Sequence, residues 1–485
     1  MVIAFFSNDL SVRGVMEIAL VELKPAYYRV DAQVQRADYW PNYEDELRKI
    51  RRSMQLKGFR PGQVPKSVAE ARVGGQLLEE VFEKALNEAI NSKLQEANLG
   101  MFCPAQPVER GEQIDLRTNE QVNLSFYLGL TAPFTPEVDQ EVQVHELQPV
   151  TDDQWKRFFN ELLLLTGRRE SLEKAPEVPG DTVLRLALGA TPDGEKPFEP
   201  VGSFDVPFAA LPQELQKAFA GAAAQATYEC AELPAFDIPS PHYSALWKRT
   251  RKHAEEQPHA KGFRFILAGA YNLTPATLTR DLLKTFFPQA EDPGEKATPE
   301  QLADVFKNSY LELIKKFLTL EDGFQAVQQL GAQATLELEK EELFNLVNPA
   351  YRGDDPAKFD GLFQPFRAHL AQEKFKAALS LRLAQDKVQE DEDKTKELAG
   401  YGAFRAASPS MQASIPAPHY ALYPQLSAQY FGNQKQLFSW ISSLLAEGYA
   451  GTCILKACPH KVLPVTLDDI DCLSLRPYAL EAVDN

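Results

Sequence analysis

The amino-acid sequence reads as α+β and multidomain, and three features carry that reading. At 485 residues the chain is too long for a single hydrophobic core, which points to about two to four domains. Its first section mixes stretches of period-two alternation with stretches of period 3.6, the marks of strands and amphipathic helices together. From Thr298 onward the pattern is helical, so one long section is expected to be all-α.

In chain order, residues 17–36 alternate as strand through Ile18, Leu20, Leu23, Tyr28, Val30, Ala32 and Val34. Pro41, a residue suited to a first helical turn, opens a helix with Leu47, Ile50 and Met54 on one face. A loop rich in glycine and proline follows, and then a long helix over about 67–98, with Val73, Leu77, Leu78, Val81, Phe82, Leu86, Ile90 and Leu94 at helical spacing. Residues 121–130 read as strand, closing a first domain over 16–138. A connector over 139–175 holds an amphipathic helix, 151–165, with Trp155, Phe158, Phe159 and Leu162. A middle domain over 176–275 is strand-like at 182–188, 227–233 and 263–268, with a turn at Pro192-Asp193-Gly194 and a basic stretch, His242–His259, that reads as a solvated loop. The helical section spans 276–485. Thr298-Pro299-Glu300-Gln301 is a helix-start signal, and helices are expected at about 299–318, 358–388, 419–430 and 434–449. Residues 1–15 precede all of this, carry no pattern of their own and read as a non-native or disordered extension.

Composition narrows the function. Hydrophobic residues at 44% and charged residues at 25% are the balance of a globular chain, and no apolar run is long enough to span a bilayer as a helix. Five scattered cysteines argue against a disulfide framework and for a reducing, cytoplasmic setting. A formal net charge of −17 excludes binding of nucleic acid by bulk attraction. Any polyanionic partner must be met by a local basic patch. Cys453, Cys458, His460 and Cys472 match no zinc spacing, and no nucleophilic triad or phosphate loop is present, so neither a metal, a nucleotide nor another cofactor is expected.

One loop supplies the basic patch. Gly58-Phe59-Arg60-Pro61-Gly62-Gln63-Val64-Pro65 fixes an unusual backbone with two glycines and two prolines, and sets an aromatic ring beside an arginine at its tip. A large apolar ring next to a planar cation is a common binding anchor. Arg48, Lys49, Arg51, Arg52, Lys57, Lys66 and Arg72 surround it, with Glu70 the only acid between Arg48 and Arg72. Taken alone, these residues also fit an ordinary loop beside a solvated helix face.

The segment from Leu56 to Gly74, LKGFRPGQVPKSVAEARVG, resembles the ribosome-docking signature of the trigger factor family, in which a strand, a helix, a Gly-Phe-Arg-x-Gly-x-x-Pro loop and a second helix follow in this order. The resemblance implies that 16–138 is a ribosome-binding domain. It implies docking on the large ribosomal subunit near the exit tunnel, through Gly58, Phe59, Arg60, Pro61, Gly62 and Pro65 with Arg51, Arg52, Lys57 and Lys66, against ribosomal protein and rRNA. Pro61 and Gln63 stand where the family often has lysine, which would weaken the docking or flatten its salt dependence. Fainter similarity runs from Met16 through the rest of the chain. It implies a degenerate FKBP-like prolyl isomerase domain at 176–275 and a helical domain at 276–485 that cradles unfolded nascent polypeptides without nucleotide or membrane.

The same resemblance tests the middle domain as an enzyme. Aligned on Gly189 and Asp193-Gly194, the family's pocket Asp-Phe pair falls on Leu186-Ala187, so no catalytic residue is assigned. Phe198, Phe204 and Phe208 fit either a remnant pocket or, as favoured here, the core. An active isomerase, and an RNA-associated protein with no chaperone role, stay open. For client binding in the helical domain the candidates are Phe363, Phe366, Tyr420, Tyr423, Tyr430, Phe431 and Trp440, with Phe344, Phe375 and Phe438 beside them; their plain alternative is helix-packing core.

Overall fold

The computed structural model describes residues 16–57, 59–60, 62–108, 114–136, 141–191, 199–257, 261–287, 290, 293–294, 296–347, 359, 361–407, 411 and 417–477. In chain order the elements are β1 (Glu17–Lys24), β2 (Tyr27–Gln35), α1 (Arg36–Ser53), α2 (Lys66–Glu96), β3 (Gly100–Pro107), β4 (Gln121–Thr131), β5 (Val142–Leu147) and α3 (Asp152–Leu165). Then come β6 (Arg168–Leu172), β7 (Val183–Thr191), β8 (Glu199–Pro207), α4 (Gln213–Phe219), β9 (Thr227–Cys230), α5 (Pro241–Glu255) and β10 (Gly262–Thr274). The rest is α6 (Arg280–Phe286), α7 (Pro299–Ala332), α8 (Lys340–Leu346), α9 (Phe363–Gln385), α10 (Glu392–Arg405), α11 (Gln434–Ala457) and β11 (His460–Val465). The α+β, multidomain reading holds. Among the described residues the helical section also carries strand β11, and the chain divides into two compact units, one comprising 1–135 with 328–388 and the other 136–327 with 389–485.

In the first unit an antiparallel sheet has the order β1-β2-β4-β3. Along β2 the inward positions Val30, Ala32 and Val34 are buried, as period-two alternation requires. They meet a stripe from α1 and α2, namely Tyr39, Tyr43, Leu47, Leu77, Leu78, Phe82, Leu86, Ile90 and Leu94. Each large side chain so buried is worth about 1.5–3 kcal/mol. Helix α1 starts earlier than the proline signal predicts: the Gln35 N–H donates to the Asp38 carboxylate at 2.7 Å, a cap that places Pro41 inside the helix instead of at its start. Tyr27, Phe102 and Cys103 face a second cluster with Leu336, Leu338, Leu343, Leu346 and Leu370 from the 328–388 segment. Asn345 donates to the Tyr27 hydroxyl at 3.1 Å and Lys24 ion-pairs with Glu342, which fixes α8 on this sheet.

In the second unit the sheet order is β6-β10-β7-β8, with β9 also paired to β10. Its core joins Leu184, Leu186, Leu188, Phe204, Val206, Phe208, Leu215, Phe219, Phe265 and Leu267. The basic stretch read as a solvated loop is helix α5. Ser240 caps it, its Oγ accepting the Tyr243 N–H at 3.3 Å, and Pro241 takes the first turn. Tyr243, Trp247, Thr250 and Ala254 turn inward at helical spacing, so its four cations ride on an amphipathic helix that packs on β8.

Strand β11 pairs parallel to β5, from His460 opposite Val142 to Val465 opposite Leu147. Asp391 is the N-cap of α10 and accepts the Lys394 N–H at 3.0 Å. The expected helix at 419–430 is instead a series of short helical turns. The stretch 470–477 is buried without belonging to helix or strand. Its Asp471 accepts from the Leu473 and Ser474 N–H groups and meets His242 Nδ1 at 2.6 Å. Its Arg476 donates to Glu321, which is also bound by Arg405 and Tyr401.

Candidate functional site

The loop between α1 and α2 is built by a few local devices. The Phe59 N–H donates to the Leu56 carbonyl at 3.0 Å and the Gln63 N–H to the Arg60 carbonyl at 2.9 Å, so two tight turns follow one another. Gly62 sits at φ +80°, in the left-handed region that favours glycine. Val64 is 2% exposed and pegs the loop into the core beneath α2, while Phe59 at the tip is 41% exposed. Pro65 begins α2, its carbonyl accepting the Val68 and Ala69 N–H groups. The loop is thus held from below by Val64 and presents Phe59 and Arg60 outward. Gly58 and Pro61 lie outside the described residues.

Electrostatics divide the surrounding cations into two sets. Lys66 pairs with Glu44 at 3.0 Å and Glu70 at 3.6 Å, Arg48 with Asp45 at 3.1 Å, and Lys49 with Glu46 at 2.7 Å. The hydrogen bond to Glu44 raises the Lys66 pKa, and the same bond lowers that of Glu44. Among the described residues, Arg51, Arg52, Lys57, Arg60 and Arg72 have no acidic partner. The acids that quench the first set lie at positions 44–46, upstream of the window in which Glu70 stands alone. A shallow cleft of about 210 Å³, lined by Glu44, Leu47, Arg48, Arg51, Arg52 and Lys66, lies between the ends of the two helices. Linear reading also missed Arg117, whose guanidinium rests against α2 at Gly74 and Gly75. Two successive glycines inside a helix are the one sequence signal that something approaches there.

The client-binding candidates are divided between the two compact units. Phe363 and Phe366 are half-buried against the core of the first unit. In the second unit, Tyr423 is fully buried, its ring edge-on to Phe404 at 5.0 Å; this core position removes it from the candidates. Tyr420 is half-buried against Phe317. Tyr430 is 73% exposed, and Phe431 and Trp440 pack on each other at 5.1 Å. Phe438 and Leu422, exposed as well, flank these in sequence.

In the middle domain, Leu186, Phe204 and Phe208 are buried. Trp247 of α5 stacks on Phe236 at 4.0 Å and meets Phe204 at 5.1 Å, so the rings here are core. Phe198 lies outside the described residues. No helix among the described residues is long and apolar enough to cross a membrane.

The first unit thus holds out Phe59 and Arg60 between two helices packed on an antiparallel sheet, with Gly62 making the left-handed turn behind them. Residues 16–162 match the family model described as bacterial trigger factor protein. The trigger factor of Saccharopolyspora erythraea is 28% identical over 187 residues, covering 37% of this chain and 38% of that protein. That of Rhodococcus erythropolis is 28% identical over 197 residues, 39% of this chain and 40% of its own length. The chain thus spans well under half the length of these curated relatives. A solved trigger factor chaperone structure, described by its promiscuous substrate recognition in folding and assembly, covers 91% of this chain at 16% identity and a TM-score of 0.29, too low to carry any argument.

Proposed function

We propose that this protein is an ATP-independent, ribosome-associated chaperone of the cytoplasm, which docks on the large ribosomal subunit near the exit tunnel and holds unfolded nascent polypeptides. The observation that carries the proposal is the loop tip: an exposed Phe59 and an Arg60 with no acidic partner among the described residues, on a backbone pegged by Val64, within a section that matches the family model. Pre-organisation matters because an ordered loop loses little conformational freedom on binding. The docking set is Phe59 and Arg60, with Gly58, Pro61, Gly62 and Pro65 shaping the loop and Arg51, Arg52, Lys57 and Lys66 around it. Arg51, Arg52 and Lys57, with no acidic partner among the described residues, supply charge for rRNA, whereas Lys66 reaches a partner only by leaving Glu44 and Glu70. The exposed or half-buried rings Tyr430, Phe431 and Trp440, with Tyr420, Phe363 and Phe366 in lesser measure, offer apolar surface to clients. The buried Leu186 and the Trp247–Phe236 stack support a middle domain that packs its rings rather than lining a prolyl pocket.

Co-sedimentation with ribosomes tests the reading. The double variant Phe59→Ala, Arg60→Ala should stay folded and fail to sediment, since each anchor at a hot spot is worth about 2 kcal/mol or more. Parent-like sedimentation would show that the tip is not the docking anchor.

A further inference from the structure

Helix α2 carries two glycines in succession, Gly74 and Gly75, at positions where glycine is a poor helix residue. Gly74 is explained by packing, because a Cβ there would lie 2.9 Å from the Tyr43 hydroxyl. Gly75 is not: among the described residues, the atom that a Cβ at Gly75 would meet is Nη2 of Arg117, at 3.7 Å, and the same atom lies 3.6 Å from a Cβ at Gly74. The pair is therefore a flat seat for the Arg117 guanidinium.

Arg117 is held there by a fixed turn ahead of β4. The Asp115 carboxylate accepts the Arg117 N–H and the Thr118 hydroxyl, each at 2.9 Å. The Thr118 and Asn119 N–H groups donate to the Asp115 carbonyl. Tyr39, fully buried in α1, donates its hydroxyl to the Leu116 carbonyl at 2.8 Å and ties this turn to the helix pair. The Asp115 carboxylate is thus engaged by the turn, and Glu70 faces Lys66. Among the described residues neither the Arg117 nor the Arg72 side chain forms an ion pair with an acid, although the Arg117 charge helps to lower the Asp115 pKa. Arg72 is exposed on α2 three residues before Gly75, a spacing that puts both on one helix face.

We propose that Arg72 and Arg117 form a second docking contact, separate from the Phe59–Arg60 tip, which takes the phosphate backbone of RNA. This deepens the docking reading and rests on it. The chemistry separates the two contacts. The tip joins a ring to a cation, as a protein anchor does. The glycine seat offers two exposed cations, which suits a row of phosphates read by charge alone.

The experiment is a salt titration of full-length protein binding to purified ribosomes. Arg72→Gln with Arg117→Gln should lower the slope of log affinity against log salt by about 1.4–1.8, at 0.7–0.9 per phosphate released. Gly75→Glu, which places a carboxylate under Arg117 and removes no arginine, should lower it by about half as much. Arg72→Lys with Arg117→Lys should keep the parental slope, because phosphate accepts a point charge. An unchanged slope in both the glutamine pair and Gly75→Glu overturns the inference. A lysine pair that loses as much as the glutamine pair overturns the RNA assignment in favour of a carboxylate read by the arginine fork. Failure of the docking reading shows itself elsewhere, as undiminished sedimentation of the Phe59→Ala, Arg60→Ala variant.

Discussion

Replacing Trp247 with alanine separates a structural α5 from a solvated loop. Trp247 is 4% exposed, stacked at 4.0 Å on Phe236, 5.1 Å from Phe204 and 6.1 Å from Phe265. Removing a buried ring of this size costs about 3–5 kcal/mol, the ring–ring geometry included. A domain holds only about 5–15 kcal/mol of stability in all. For a domain near this size each kcal/mol shifts the midpoint by about 4–8 °C, so the unfolding of the middle domain should move down by at least about 12 °C. Differential scanning calorimetry of the full chain would report this as one early transition. Ribosome co-sedimentation should be unchanged below that temperature, because the docking loop belongs to the other compact unit. A loss under about 1 kcal/mol would refute the reasoning, since it would mean that the indole is no part of the core.

Further outcomes follow from the charges and the exposed rings. Glu44→Gln leaves Lys66 only its longer contact with Glu70 and should steepen the salt dependence of ribosome binding by less than about one unit, measured in the same titration. Tyr430→Ser with Phe438→Ser should weaken suppression of client aggregation while leaving the melting curve within the small range usual for surface changes; unchanged holding activity would count against that patch. Burial alone would raise the Asp471 carboxyl, but the His242 ring and the Ser474 and Leu473 N–H groups outweigh it and hold the pKa at about 2. A depressed folded pKa stabilises above the ordinary aspartate range and is lost as pH falls through it, so acid should destabilise the parent between about pH 4 and 2. Asp471→Asn should be less stable at neutral pH and flatter across that window in denaturant titrations. Glu321→Gln removes the buried carboxylate that Arg476 and the partly buried Arg405 both reach, and should cost about 3 kcal/mol at neutral pH.

Much of this was legible in one dimension because local chemistry dictates it. The period of Val30, Ala32 and Val34, the 3.6 spacing along α2 and the Gly/Pro framing of the loop need no partner to be read. What escaped depends on where distant segments meet. Glu44, Asp45 and Glu46 precede the basic window, yet the helical turn and the return of α2 bring them onto its lysines and arginine. Arg117 joins the site only because Tyr39 holds its turn over α2. The stretch around Trp247 is dense in charge and flanked by prolines, and so reads as loop until its inward positions are seen to share one side. Tyr423 failed as a candidate for the opposite reason: aromatic residues near short turns look available in sequence, and its ring packs on Phe404.

The buried stretch from Ile470 to Pro477 has a consequence for how this chain is made. Arg476 neutralises Glu321 on α7, Asp471 holds His242 on α5, and β11 supplies the partner of β5. Synthesis runs from the N-terminus, so those three earlier elements emerge long before the groups that satisfy them. Until these last residues have been added, Glu321 lacks its contact with Arg476 even though Tyr401 and Arg405 already reach it, His242 lacks Asp471, and the edge of β5 lacks β11. The first unit has all its parts once residue 388 is made. The docking loop can therefore be complete while the later unit is still an unfinished chain, so that for a time the protein is itself the kind of polypeptide it is proposed to shelter.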